Sequence, residues 1–318
     1  MTFRPATVGC LPESFRHHPD FWRVRSARLR PSFFQDSTHQ IWYLTGEQQE
    51  QSVLKVCDYS QVAQNRFWMR MQQWFAADLR ESYPWQAQLF DFFAEHSTFA
   101  IPCLLASFAP SELSSQDFAW LWVEAIEGQD LCADAILPRH CHILGQHLQR
   151  MHALSFKPDA FGEPIQALAK ALAGQVAPNM TFTQKMADFL EKDTSGRSFA
   201  STYPQDFQEI KQALLQWQPQ QWVPMLMDFR WDQCREDSAG QLYLLDLEAA
   251  IVAPIEFDWL LMEVLLTPSQ WQQVVSAYAQ PLPSLRASRT LARAVFYHLE
   301  LLGPKSWDWW RALAHYAP

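Results

Sequence analysis

The sequence predicts an α+β chain of two unequal lobes: a small N-terminal lobe built on an antiparallel sheet over residues 1–125, and a larger, mainly helical lobe over residues 126–318. Three observations carry this expectation. From about residue 21 to 58 short apolar runs alternate with polar turns, as strands of a small sheet do. After Gly128 the apolar positions switch to helical spacing, first in RHCHILGQHLQRMHAL at 139–154. Within the helical part, the apolar runs VPMLMDF at 223–229 and QLYLLDLEAA at 241–250 flank the polar turn REDSAG, which predicts a hairpin.

Taken in order, SFF at 32–34, QIWYL at 40–44 and SVLKVCD at 52–58 read as the first strands. FWMRMQQWFAADL at 67–79 and WQAQLFDFFAEH at 85–96 have helical spacing, and Pro84, lacking an N–H, marks the break between them. IPCLLASF at 101–108 and FAWLWVEAI at 118–126 return to strand character, so the small lobe is a five-stranded-type sheet with inserted helices. In the first helix of the large lobe Ile143, Leu144, Leu148 and Met151 share a face. Residues 157–205 are punctuated by Pro, Gly, Asn and Ser and support only short helices. A helix near 206–217 precedes the hairpin, and helices interrupted at Pro268, Pro281, Pro283 and Pro304 complete the chain. No internal repeat or low-complexity tract is present.

Composition narrows the function classes. With 318 residues, 48% hydrophobic and 15 tryptophans, the chain can bury a large core and shape pockets. A net charge of −9 gives no general attraction to nucleic acid or anionic membranes and suits a cationic substrate better. The six cysteines are scattered with no CxxC pair, which argues against a disulfide framework or a zinc knuckle. The opening MTFRPATVGCLPESFRHH lacks the apolar stretch of a signal peptide, and no run approaches the roughly 18 apolar residues of a membrane span. A cytoplasmic protein without membrane or nucleic-acid partners is expected; oligomeric state is not legible.

Asp228 and Asp246 each follow an apolar strand, 18 residues apart, so a hairpin brings both carboxylates to one rim. Aspartates in such apolar surroundings are costly and need a reason. Capping a turn is an everyday role for either one alone. Together they match phosphoryl transfer, in which one carboxylate takes the acceptor's proton and the other holds Mg²⁺ against the ATP phosphates.

MLMDFRWDQC followed by LLDLEAAIVAPIEFDWLL resembles the aminoglycoside phosphotransferase and choline kinase superfamily, whose pattern is HGDxxxxN, then hhDxE, then GPxxxDLA. The resemblance implies a protein-kinase-like fold with Asp228 as catalytic residue, Asp246 as metal ligand, Glu248 in its motif position, and Pro254 and Asp258 in the structural motif that follows. WLWVEAIEGQDL at 120–131 is similar to the family segment that crosses between lobes, and LGQHLQRMHAL at 144–154 to the next helix. SVLKV supplies Lys55 as the phosphate-contacting lysine. By the same resemblance ATP and Mg²⁺ are the cofactors, and the adenine lies against the segment through Trp122, Glu124 and Ile126. The acceptor is a small hydroxylated molecule, amine-bearing or aminoglycoside-like. The likeness covers most of residues 30–280.

Departures from the pattern concern the chemistry more than the fold. Leu226 and Met227 replace the family's His and Gly, and Gln233 replaces the Asn that serves as second metal ligand, with Asp232 beside it as an alternative oxygen donor. The loop FFQDSTHQIWYL at 33–44 has no glycine; Ser37, Thr38 and His39 either contact phosphate through their side chains or form an ordinary polar turn. Where a glutamate partner for Lys55 is expected, the helix offers Gln86 and Gln88, with Glu81 just before it. Two functions follow: an ATP-dependent small-molecule phosphotransferase, or a catalytically silent kinase-like protein that binds nucleotide or a protein partner. His140, Cys141, His142, His147 and His152 suggest a metal site, but their spacing does not place three on one helical face, which favours packing.

Overall fold

The computed structural model describes residues 4–6, 8–31, 37–75, 77–110, 117–156, 182–219 and 221–316. The two-lobed α+β architecture is present. The small lobe is an antiparallel sheet of six strands, β1 (Arg4–Ala6), β2 (Val24–Leu29), β3 (His39–Gly46), β4 (Gln51–Asp58), β5 (Leu104–Phe108) and β6 (Phe118–Glu124), ordered β1-β2-β3-β4-β6-β5. The strand expected at 32–34 lies outside the described residues. Its neighbour β2 escaped sequence reading because a register shift between Val24 and Ser26 breaks the apolar alternation and exposed Arg25 and Arg28 interrupt the run.

The sheet is buried on both faces, and strand alternation decides which residue goes where. In β4, Leu54 and Val56 face an outer core with Trp42, Leu44, Trp120 and Trp122. Phe15 plugs this core edge-on against Trp120 and Trp122, with ring centroids 5.1 and 5.3 Å away. Residues of the opposite register, Val53 and Lys55, look toward the large lobe. The helix Arg66–Phe75 buries Trp68, Met71, Trp74 and Phe75 against the main core. It ends four residues sooner than expected, because Asp78 caps a separate short helix at Leu79–Ser82. Pro84 sits in a 3-10 turn, Tyr83–Trp85, that leads into the helix Gln86–His96.

In the large lobe the helix Pro138–His152 packs along Pro268–Tyr278. Gly145 permits the contact, since a Cβ there would run into the Val274 carbonyl oxygen. Of the poorly legible stretch 157–205, residues 157–181 lie outside the described residues; beyond them run the helices Phe182–Lys192, Thr194–Thr202 and Pro204–Gln216. No helix among the described residues is long and apolar enough to cross a membrane.

The expected hairpin needs correction. β7 (Gln129–Asp130) joins a three-stranded sheet with β9 (Cys234–Glu236) and β10 (Leu242–Leu244), while β8 (Trp222–Leu226) pairs not with 241–250 but with β11 (Ala250–Pro254). Two ladders are therefore nested, the inner one closed by the REDSAG turn and the outer one placing Leu226 opposite Ala250. The reason is burial: Val223–Leu226 and Ala250–Pro254 are both fully buried runs and match each other as central strands, whereas the polar residues between them leave the ladder. Met227 N–H donates to Ala249 O at 3.1 Å, and Leu245 N–H to Gln233 O at 2.9 Å, so both aspartates still emerge at one rim.

Candidate active site

Between the inner face of the sheet and the nested ladders lies a cleft of about 700 Å³. Strand alternation supplies its roof: His39, Ile41 and Tyr43 from β3, Val53 and Lys55 from β4. Val123, Glu124 and Ile126 form the back, and Gln233, Leu245 and Asp246 the floor. Ser37 also lines the cleft, but its hydroxyl donates to the His39 carbonyl at 3.0 Å. Thr38 is buried and bonds His39 Nδ1 through Oγ1 at 3.0 Å. Trp122 does not face the cleft: its indole lies in the outer core and donates to Ser52 Oγ at 2.8 Å.

Asp228 sits in the turn after β8. Its Oδ2 accepts from Gln233 Nε2 at 3.0 Å, and Arg230 Nη1 stands 3.8 Å away, so Gln233 and Arg230 hold its orientation. Burial, then the negative charge of Asp246, push the Asp228 carboxyl up to about 6, against the pull of Arg230 and Gln233. Asp246, just past β10, meets Lys55 Nζ at 3.4 Å. Burial alone disfavours the Lys55 charge, but Asp246 and Glu248 outweigh it and hold the ammonium above its ordinary range.

Glu248 is buried and carries the densest network in the site. Its Oε1 accepts from the Tyr83 hydroxyl at 2.7 Å, and its Oε2 lies 3.1 Å from His39 Nε2, which is also 3.1 Å from Tyr83 OH. Burial opposes charge on this pair, yet each sustains the other: His39 is held well above the usual histidine range and Glu248 well below the usual carboxylate range. Tyr83 was missed by sequence reading, and its only signal was its place beside the helix-breaking Pro84. Gln88 and Glu81 are exposed, and Gln86 is buried with neither amide atom hydrogen-bonded among the described residues. The partner of Lys55 is thus Asp246, not an acid on that helix.

Hard carboxylate oxygens suit Mg²⁺, which binds through one or two carboxylates and takes its remaining ligands from water and phosphate. Asp246, with Asp228 across from it and repelled by it, fits such a dication. Gln233 does not in this arrangement, because its Oε1 accepts from the Arg230 backbone N–H at 3.2 Å, and Asp232 is exposed and bonded to Arg230 Nε at 3.0 Å. Among the described residues no three His, Cys, Asp or Glu side chains converge as a metal cluster. The helix histidines pack instead: His140 on Glu236, His147 on Ser97, and His152 between Tyr278 and Asp258.

No family model matches the sequence, and no curated protein matches it. Solved structures do. The GDP complex of an aminoglycoside 2'-phosphotransferase-IIIa is 15% identical, with 93% of this chain and 92% of that one covered and a TM-score of 0.56. Choline kinase LicA from Streptococcus pneumoniae is 12% identical over 87% and 85% of the two chains, with a TM-score of 0.53. The apoenzyme of macrolide 2'-phosphotransferase MphH from Brachybacterium faecium is 15% identical over 87% and 86%, also at 0.53. At such identities what is shared is the fold.

Proposed function

Because the chain has the protein-kinase-like fold of aminoglycoside phosphotransferases and choline kinase, we propose that it is an ATP-dependent phosphotransferase acting on a hydroxyl of a small molecule. The observation that carries this reading is a cleft lined by Lys55, Asp246 and Gln233, with Asp228 hydrogen-bonded to Gln233 and close enough to Asp246 to feel its charge. Residues 1–125 supply the nucleotide's roof, and residues 126–318 the carboxylates and the acceptor side.

Asp228 takes the acceptor's proton. With its carboxyl near 6 it is ionised at neutral pH yet more basic than an ordinary aspartate, and Gln233 keeps it oriented. Asp246 would hold Mg²⁺, which would supply positive charge to offset that of the nucleotide's phosphates. Lys55, held 3.4 Å from Asp246, would reach the α- and β-phosphates. The purine lies against 123–126, where the Ile126 amide N–H has no hydrogen-bond partner among the described residues. The Ile126 carbonyl is taken by Arg235 Nη1 at 2.9 Å, so the base is read mainly through that N–H. The acidic chain favours an amine-bearing acceptor.

A second reading, a nucleotide-binding protein without transfer activity, is favoured by one observation: the Gln233 oxygen is turned away from the carboxylates. A thermal-shift titration with ATP, with and without Mg²⁺, is expected to raise the melting temperature most with both present. No shift at millimolar MgATP overturns both readings. An acceptor screen then separates them: transfer by the wild type that is lost in Asp228→Asn supports the phosphotransferase, and equal turnover in the two removes Asp228 as the base.

A further inference from the structure

We propose that His39, Glu248 and Tyr83 form a positioning clamp that sets the height of Asp246 beneath the roof of the cleft, replacing a lysine–glutamate pair between sheet and helix. The clamp rests on the phosphotransferase reading and names three residues that reading does not use.

Each member comes from a different part of the fold. His39 opens β3, directly after Ser37 and Thr38; Tyr83 starts the turn into the helix Gln86–His96; Glu248 lies two residues past Asp246. In protein kinases the corresponding parts are tied by an ion pair between the sheet lysine and a helix glutamate, and phosphoryl transfer depends on it. Here Gln86 stands on the helix, and Lys55 turns to Asp246. The tie between helix and floor runs instead through Tyr83 OH to Glu248 Oε1, and the tie between roof and floor through His39 to Glu248 Oε2. Both carboxylate oxygens are thus engaged, as a buried carboxylate requires. Thr38 holds the far nitrogen of His39, which fixes the imidazole's orientation. Glu248 N–H also approaches Asp246 Oδ1 at 3.5 Å, so movement of one carries the other.

The groups that would hold the phosphates and the dication are therefore placed by contacts among Glu248, His39 and Tyr83, of which only His39 also lines the cleft. Loosening the clamp should weaken whatever is bound at the phosphate end and spare whatever is bound at the base end. Isothermal titration of wild type, Tyr83→Phe and His39→Gln with MgATP and with adenosine tests this. Tyr83→Phe removes one oxygen, and His39→Gln keeps a hydrogen-bonding group without the charge, so both variants retain the packing. The expected result is a loss of MgATP affinity of about ten- to a hundredfold with adenosine affinity unchanged. The double variant should lose less than the product of the two single losses, because both act through one carboxylate. Unchanged MgATP binding in both variants overturns the clamp, as does an equal loss for MgATP and adenosine, which a purely structural role would give. If the wild type binds neither ligand, the nucleotide reading itself fails and the clamp falls with it.

Discussion

Asp228 is the residue at which stability and chemistry oppose each other most directly. Its carboxyl is raised to about 6 by burial and by Asp246, so at neutral pH the folded protein carries an ionised group that it would rather keep protonated. A group whose pKa is raised on folding contributes stability below its unfolded pKa, and that contribution is lost as pH rises through the folded one. In the absence of divalent cation, Asp228→Asn is therefore expected to stabilise the protein by roughly 1–3 kcal/mol at pH 7.5 while abolishing transfer. The gain should shrink to roughly half near pH 5 and vanish only below about pH 4, where the unfolded carboxyl is protonated too; calorimetry across this range reads this. Asp228, Asp246 and Lys55 were legible as an ordered set because each sits beside an apolar run of recognisable length. The Tyr83–Glu248 contact was not, since it joins positions 165 residues apart and nothing local to either announces the other. Trp122 was legible as part of the crossing segment, but which way its indole turns depended on strand register.

Among the elements, the sheet strands and long helices could be read because periodicity is a local property. Strand partners could not. The runs at 223–229 and 241–250 were found, yet the first pairs with 250–254, because the fully buried segments 223–226 and 250–254 match each other while the shorter inner pair β9–β10 closes between them. The helix pair Pro138–His152 and Pro268–Tyr278 poses the same difficulty, since its close approach at Gly145 is set by a carbonyl well over a hundred residues away. Gly145→Ala should cost about 1–3 kcal/mol by overpacking. A shift in the urea midpoint with unchanged MgATP affinity of the folded protein is the expected signature.

Over the whole molecule the sheet separates two cores, the outer one around Phe15, Trp42 and Trp120 and the main one running through the helices. Phe15 is fully buried on the sheet face opposite the cleft. Phe15→Ala is expected to cost about 3–5 kcal/mol, seen in chemical denaturation, with nucleotide binding of the remaining folded molecules intact. The nested ladders bear on the molecule as a whole in a different way. Asp228 and Asp246 lie on opposite sides of the tip of the inner hairpin, where Ser238 and Ala239 are exposed. Cutting the chain between these two would yield two pieces with one carboxylate each and complementary strands, β8 and β11, to rejoin them. On the proposed function neither piece would transfer phosphate alone, and activity is expected only on reassembly.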